Sequence, residues 1–165
     1  MARYFPKNEE SSGKSLIELL KARRSIRAFR NDPVSQEQIN MILAAGNHSP
    51  SGGNRHPWRF EVICDDQLKK RIRTRSEAGD RKWHEEADPN LKKWLAAKHI
   101  TTEKKFLTEA PVLIAVFGDS SDPYWLESVW ISIGYMMLAC VDQGLGTVIY
   151  TPGDPAYLNE VLDIP

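Results

Sequence analysis

Apolar positions along this chain follow two periods, and the switches between them mark its elements. Leu16, Leu19 and Leu20 form a helical stripe that opens at Ser15-Leu16-Ile17-Glu18, a capping box with Ser15 as N-cap and Glu18 reaching back. The spacing predicts a helix running toward Arg23. Asn31-Asp32-Pro33 breaks the pattern, and Ser35-Gln36-Glu37-Gln38 repeats the capping arrangement before Ile39, Ile42 and Leu43 on one face. Pro50-Ser51-Gly52-Gly53-Asn54 reads as a loop. Trp58 to Cys64 (WRFEVIC) alternates well enough for a strand. From Leu68 to about Glu109 the chain is charged and helix-compatible, broken near Asp88-Pro89-Asn90, which predicts two or three surface helices. Val112 to Phe117 is a solid apolar run suited to a central strand. Tyr124 to Gln143 spaces Val129, Ile133, Met136, Met137 and Cys140 along one face of a long apolar helix, ended by Gly144-Leu145-Gly146. Thr147 to Tyr150 is the next predicted strand, and Leu158 to Leu162 opens a last short helix.

These elements predict the α+β class, with helices surrounding a small central mixed or antiparallel sheet. Residues 15–165 form a single domain, and the polar stretch 1–14 a tail or arm. At 165 residues the chain suits one domain and needs no disulfide or metal staple. The Tyr124 to Gln143 helix is too apolar for the surface of a monomer, and packing against a second copy explains it.

Composition narrows the function classes. Lysine plus arginine (22) balances aspartate plus glutamate (22), so no global field favours nucleic acid or anionic lipid, and any anion site is local. The basic run Lys69 to Arg75 is followed at once by Glu77, Asp80, Glu85 and Glu86, the mark of a solvated, ion-paired helix rather than a nucleic-acid face. Cys64 and Cys140 are too few for a disulfide framework; as buried free thiols they point to a reducing cytoplasm. His48, His56, His84 and His99 lack metal-ligand spacing, so no metal is expected. The N-terminus has no apolar signal-peptide core, and the apolar runs fall short of the ~20 residues a membrane span needs.

Two clusters carry chemistry. Arg23-Arg24-Ser25-Ile26-Arg27 places three guanidiniums and a hydroxyl within five residues. Arginine's planar fork suits phosphate oxygens bidentately and keeps its charge at any working pH. If the segment is extended, Arg23, Ser25 and Arg27 share one face as a phosphate clamp; the other reading is a solvated basic helix end. In the second cluster, Gly52 and Gly53 permit positive φ and close backbone approach, and their amides with Ser51 and Asn54 can bond the rim of a heterocycle. A plain helix-to-strand turn explains the same residues without a ligand. Trp83 and Trp94, in the charged tract, read as packing residues, with stacking on an aromatic substrate as the alternative.

Together, R-R-S-I-R and, some twenty-five residues later, P-S-G-G-N-x-x-P-W-R-F resemble the nitroreductase family of FMN enzymes. The likeness continues through E-A-P-V-L-I-A-V-F, the long helix and G-L-G-T-V-I-Y-T-P, covering about Leu16 to Pro165. It implies a nitroreductase-like FMN-binding domain in an intertwined homodimer whose active site is shared. The FMN phosphate and ribityl chain then fall to Arg23, Arg24, Ser25 and Arg27. Pro50, Ser51, Gly52 and Asn54 come to the flavin ring from the partner subunit, and Ile149, Tyr150 and Thr151 line its other side. No side-chain catalyst is implied, since the chemistry sits at flavin N5. The implied activity is a cytoplasmic oxidoreductase that takes electrons from NADH or NADPH and passes them to a small aromatic, quinone or nitro substrate in ping-pong fashion. A flavin-binding protein without turnover, or a flavin-consuming enzyme of the dimethylbenzimidazole synthase type, are the alternatives.

The tract 68–109 resembles the lid of the iodotyrosine deiodinase branch, with Gly53 and Lys104 as substrate-side residues. Lys104 resembles the lysine that pairs with the substrate carboxylate there, its other reading being a solvated helix lysine. The branch's glutamate and tyrosine are matched only by Asp80 and by Trp83 or His84. The sequence also ends before the strand, G-Y-P-type turn and basic residue with which the family continues.

Overall fold

The structure, a computed structural model, describes residues 13–164. Most of the expected tail, residues 1–12, lies outside the described residues. In chain order the elements are α1 (Leu16–Ala22), α2 (Gln36–Asn47), a 3-10 turn (Gly52–Asn54), β1 (Trp58–Ile63), α3 (Asp66–Glu86), α4 (Pro89–Ala97), α5 (Phe106–Glu109), β2 (Leu113–Gly118), α6 (Trp125–Asp142) and α7 (Tyr157–Val161). Strands β1 and β2 pair in a small antiparallel sheet, and the Asp119 amide extends their ladder by donating to the Pro57 carbonyl at 2.9 Å. The chain divides into two compact units: one holds the chain up to Ser25 with Ser35–Arg59 and Val116–Thr147, the other Ile26–Val34, Phe60–Ala115 and Val148 onward.

In the first unit both capping boxes form as the sequence dictates. Ser15 Oγ accepts from the Glu18 amide while Glu18 returns to Ser15, and Ser35 and Gln38 do the same for α2. Each satisfies two amides that a helix start otherwise leaves bare. Helix α2 packs on α6, burying Ile39, Ile42 and Gly46 on one side and Val129 and Met136 on the other. The Ser132 hydroxyl, fully buried on α6, donates to the Gly46 carbonyl at 3.0 Å, so its burial carries no unmet polar group. Ile133, Met137 and Cys140, expected on the core face, are only half-buried. At the end of β2 an added Cβ on Gly118 would lie 2.6 Å from the Trp125 ring and 3.0 Å from a Val129 methyl. Gly118→Ala is therefore expected to destabilise the chain by about 1–3 kcal/mol, read as a lower denaturant midpoint at unchanged m-value.

In the second unit α3 packs on α5 and α7. Its buried face is Lys69, Ile72, Ser76 and Asp80, with Leu107, Ala110 and Tyr157 among the other buried residues. Three of the four α3 residues are polar, which corrects the expectation of a merely solvated surface helix. The Lys69 ammonium is spent on the Ala110 carbonyl at 3.0 Å and on Asp66 at 2.9 Å, so its stem can be buried without a bare charge. Elsewhere in the basic run, Arg73 pairs with Glu77 and Glu103, and Arg75 with Glu160.

Three further expectations fail. Thr147 to Tyr150 forms no strand: Thr147 makes a single parallel bridge with Ser25. β-branched residues favour a strand only where a neighbouring strand runs alongside, and the described residues supply none there. Cys64 is exposed rather than buried, because β1 ends at Ile63 before it. Trp83 and Trp94, read as packing residues, are 42% and 52% exposed. Cys140 is half-buried, hydrogen-bonded with Thr147, and burial pushes its thiol up to about 11.

Candidate functional site

The arginine segment begins where α1 stops. The Arg23 amide donates to the Leu19 carbonyl at 3.0 Å, and at φ −57°, ψ 127° the chain then leaves the helix. Residues 23–27 are non-helical, and the Ser25–Thr147 bridge fixes Ser25 against the segment that follows α6. The three guanidiniums have different surroundings. Arg24 donates from one nitrogen to the carbonyls of Lys21 and Arg23 at 2.6 and 2.8 Å, so part of its fork is spent capping α1. Arg23 is half-buried, and Arg27, with Ser25, is exposed. Among the described residues no carboxylate pairs with Arg23, Arg24 or Arg27, whereas Arg55, Arg73 and Arg75 are each ion-paired. The segment thus presents guanidiniums that no carboxylate among the described residues neutralises.

The glycine loop, in the same unit as Arg23 to Ser25, is held from beneath. The Gly52 amide donates to Ser128 Oγ at 3.1 Å, and that hydroxyl donates to the Tyr124 carbonyl at 2.6 Å. A Cβ on Gly52 would stand 2.9 Å from the Tyr124 Cβ, so only glycine lets the loop lie this close to the start of α6. Ser51 Oγ accepts from the His56 amide at 2.9 Å, which commits part of the Ser51 hydroxyl to shaping the loop. Gly53, Asn54 and His56 all adopt positive φ (57°, 56° and 53°). For Asn54 and His56 that geometry is uncommon and costly, and the loop restrains it with side chains. Asn54 Oδ1 meets His56 Nε2 at 2.8 Å, the His56 ring stacks on Trp58 at 5.2 Å, and Trp58 Nε1 donates to Asn47 Oδ1 at 3.0 Å. Arg55 pairs with Asp122. Pro50, Gly53 and Asn54 are exposed.

In the second unit Ile149 and Thr151 are exposed, and Tyr150 is half-buried in a network that its sequence neighbourhood does not show. Its hydroxyl donates to Asp80 Oδ1 at 3.0 Å. Its ring meets Phe106 edge-on, centroids 5.6 Å apart, and Lys104 Nζ stands 5.7 Å from the ring centroid. Burial first, then the neighbouring Asp80 charge, holds the phenol well above its usual acidity range, so it remains a donor. Asp80 Oδ1 also accepts from the Gly153 amide at 3.2 Å, and Oδ2 pairs with Lys104 Nζ at 2.9 Å. Lys104 is 7% exposed, with its ammonium also bonded to the Thr101 carbonyl. That corrects its reading as a solvated helix lysine, since it lies in the loop before α5 with a buried partner. Ser128, Tyr124 and Phe106 are supports that sequence reasoning missed. The one available signal was the row Lys69, Ser76, Asp80, polar residues at the helical spacing of an apolar stripe.

Residues 20–165 match the Nitroreductase family. The chain belongs to it. Over 152 residues it is 40% identical to an iodotyrosine deiodinase of Thermotoga neapolitana, which covers 92% of this chain and 82% of that one. It is 28% identical to an iodotyrosine deiodinase of Haliscomenobacter hydrossis, over 99% of this chain and 79% of that one. Among solved structures it is similar to an oxidized iodotyrosine deiodinase bound to FMN and 3-iodo-L-tyrosine, with a TM-score of 0.87, 39% identity, and coverage of 92% of this chain and 82% of that one. The nitroreductase-like fold expected from the sequence is thus established. No helix among the described residues is long and apolar enough to cross a membrane, and none of their side chains cluster as a metal site.

Proposed function

We propose that the chain is an FMN-dependent oxidoreductase in which one domain, 15–165, holds the flavin and the helical tract 68–109 serves as its lid. The observation that carries the proposal is the arginine segment: cationic forks with no carboxylate among the described residues, beside a hydroxyl, fit a phosphate monoester. Arg23, Ser25 and Arg27 would take the phosphate, Arg24 contributing the nitrogens not used on α1. The loop around Gly52 and Gly53, with Ser51 and Asn54, fits the rim of a planar heterocycle, since Gly53 and Asn54 are exposed while the supports beneath them are fixed. Pro50 sets the approach to that loop, and Ile149, Tyr150 and Thr151 would supply a further wall. When bound, FMN would supply the electron transfer between NADH or NADPH and a second molecule taken in the same pocket. The protein's part is placement, exclusion of water and donors for charge that gathers on the ring.

A homodimer with a shared site belongs to the same proposal. Helix α1 buries no residue, leaving Leu16, Ile17 and Leu20 exposed, and α6 exposes Leu126, Trp130, Ile131 and Tyr135. Apolar surface of this extent on two helices of one unit is what a second copy of the chain would cover. A small aromatic, quinone or nitro compound is the proposed oxidant. The likeness to two iodotyrosine deiodinases favours a second reading, reductive removal of halogen from a halogenated phenol.

Stopped-flow mixing of the FMN-loaded chain with NADH and then NADPH tests the electron-donor half. Bleaching of the flavin band near roughly 450 nm within a turnover is expected from the cofactor's chemistry. Reoxidation by a nitroaromatic or quinone, run beside 3-iodo-L-tyrosine, separates the two substrate readings. A flavin that neither dinucleotide bleaches contradicts the proposed donor.

A further inference from the structure

The second unit contains a chain of charges, half-buried at Arg73 and Glu77 and buried at Lys104 and Asp80, that the proposed chemistry leaves unused. Arg73 pairs with Glu77 at 2.7 Å, Glu77 accepts the Lys104 main-chain amide at 2.8 Å, and Lys104 Nζ pairs with Asp80 at 2.9 Å. Both side chains of the last pair are 8% exposed. Apolar residues of similar volume can often replace such a pair with no loss of stability, so stability alone is a poor account of it. Its remaining contacts give a better one. Asp80 Oδ1 takes two donors, the Tyr150 hydroxyl at 3.0 Å and the Gly153 amide at 3.2 Å, and both belong to the stretch just after Val148. Gly153 itself lies against α3: an added Cβ would be 3.3 Å from the Gly79 carbonyl and 3.3 Å from the Trp83 Cβ. With Phe106 at its edge and Lys104 near its face, Tyr150 is constrained on three sides.

We propose that Asp80 is a positioning residue. Its carboxylate, with one oxygen held by Lys104 and the other by Tyr150 and Gly153, sets the placement of residues 149–151 and through them the grip of the chain on FMN. This rests on the reading of Ile149, Tyr150 and Thr151 as a wall of the flavin site. A carboxylate accepts two donors on one oxygen while bonded on the other, and asparagine cannot reproduce that arrangement. Asp80 touches no reacting atom, and its effect passes through the Tyr150 hydroxyl and the Gly153 amide.

The test is a cycle of D80N, Y150F and the double variant in the full chain, with FMN dissociation constants read from quenching of flavin fluorescence. Each single change is expected to weaken FMN by about tenfold, and the double change by little more than the worse single, because residues acting through one bond are not additive. A second readout needs no cofactor: in tyrosine-labelled apo-protein, the ring-carbon resonance missing from Y150F is expected to move in D80N. Effects that multiply to about a hundredfold, as for two independent sites, or a Tyr150 resonance that stays in place, overturn the proposal. D80N leaves the Lys104 ammonium without its carboxylate, so it is the variant most at risk of not folding. Y150F keeps the ion pair, and wild-type FMN affinity in Y150F alone overturns the proposal. A wild-type chain that does not bind FMN overturns the proposed function and this inference together, whereas the variant results bear on Asp80 alone.

Discussion

Arg23→Ala combined with Arg27→Ala is expected to weaken FMN binding by at least about a hundredfold, since each removes a charge-assisted contact of about 1.5–3 kcal/mol. Neither guanidinium has a carboxylate among the described residues to compensate it, so its removal from the free protein costs little and the loss falls on the complex. Arg24→Ala provides the contrast. Its guanidinium already donates to the Lys21 and Arg23 carbonyls, so its loss is expected to fray the end of α1 and to weaken FMN less than the double change does. Arginine-to-lysine changes at 23 and 27 keep the charge but lose the fork, and an intermediate affinity is expected. Fluorescence titration of each variant with FMN, beside its thermal melt without FMN, separates the binding effect from the stability effect.

The largest stability effect is expected at Lys104. Lys104→Met removes the ammonium but leaves the Asp80 carboxylate buried, and breaking one side of a buried pair typically costs about 3–5 kcal/mol. At this chain length that corresponds to a fall in melting temperature of roughly 6–20 °C. Adding Asp80→Asn to Lys104→Met removes the unmatched charge and should recover much of the loss. A Lys104→Met protein that melts with the wild type would show that the pair is open to water, contrary to its 8% exposure on both sides. The comparison is best made on FMN-free protein, because a ligand that binds only the folded chain raises the melting temperature by mass action.

Much of this architecture can be read from the sequence because it is fixed locally. The two capping boxes are four-residue patterns whose donors and acceptors all lie within one turn, and both form as written. The long apolar helix and the run that becomes β2 declare themselves by period and length. Where the sequence misleads, the deciding partner is distant. Thr147 to Tyr150 has strand propensity, yet among the described residues its only bridge is that of Thr147 with Ser25. Lys69 and Lys104 look like solvated lysines until the Ala110 carbonyl, 41 residues on, and Asp80, 24 residues back, come into place. The candidate site divides in the same way. The arginine segment and the glycine loop are contiguous and legible, and two glycines in a row already mark the close approach that Tyr124 makes to Gly52. Tyr150, in contrast, is singled out in the sequence by the family resemblance alone, and its network is not legible there. Its hydroxyl partner, edge-on neighbour and nearby cation come from three separate stretches of chain.

If the arginine segment grips the FMN phosphate, flavin affinity depends on that phosphate. The most direct measurement is a titration of the purified, flavin-free chain with FMN and with riboflavin, which lacks the phosphate, followed by loss of flavin fluorescence. Saturable quenching by FMN is expected, with riboflavin bound more weakly by at least about a hundredfold, the worth of two charge-assisted contacts. Equal affinity for the two flavins would contradict the arginine grip, and no quenching by either would contradict the flavin site itself.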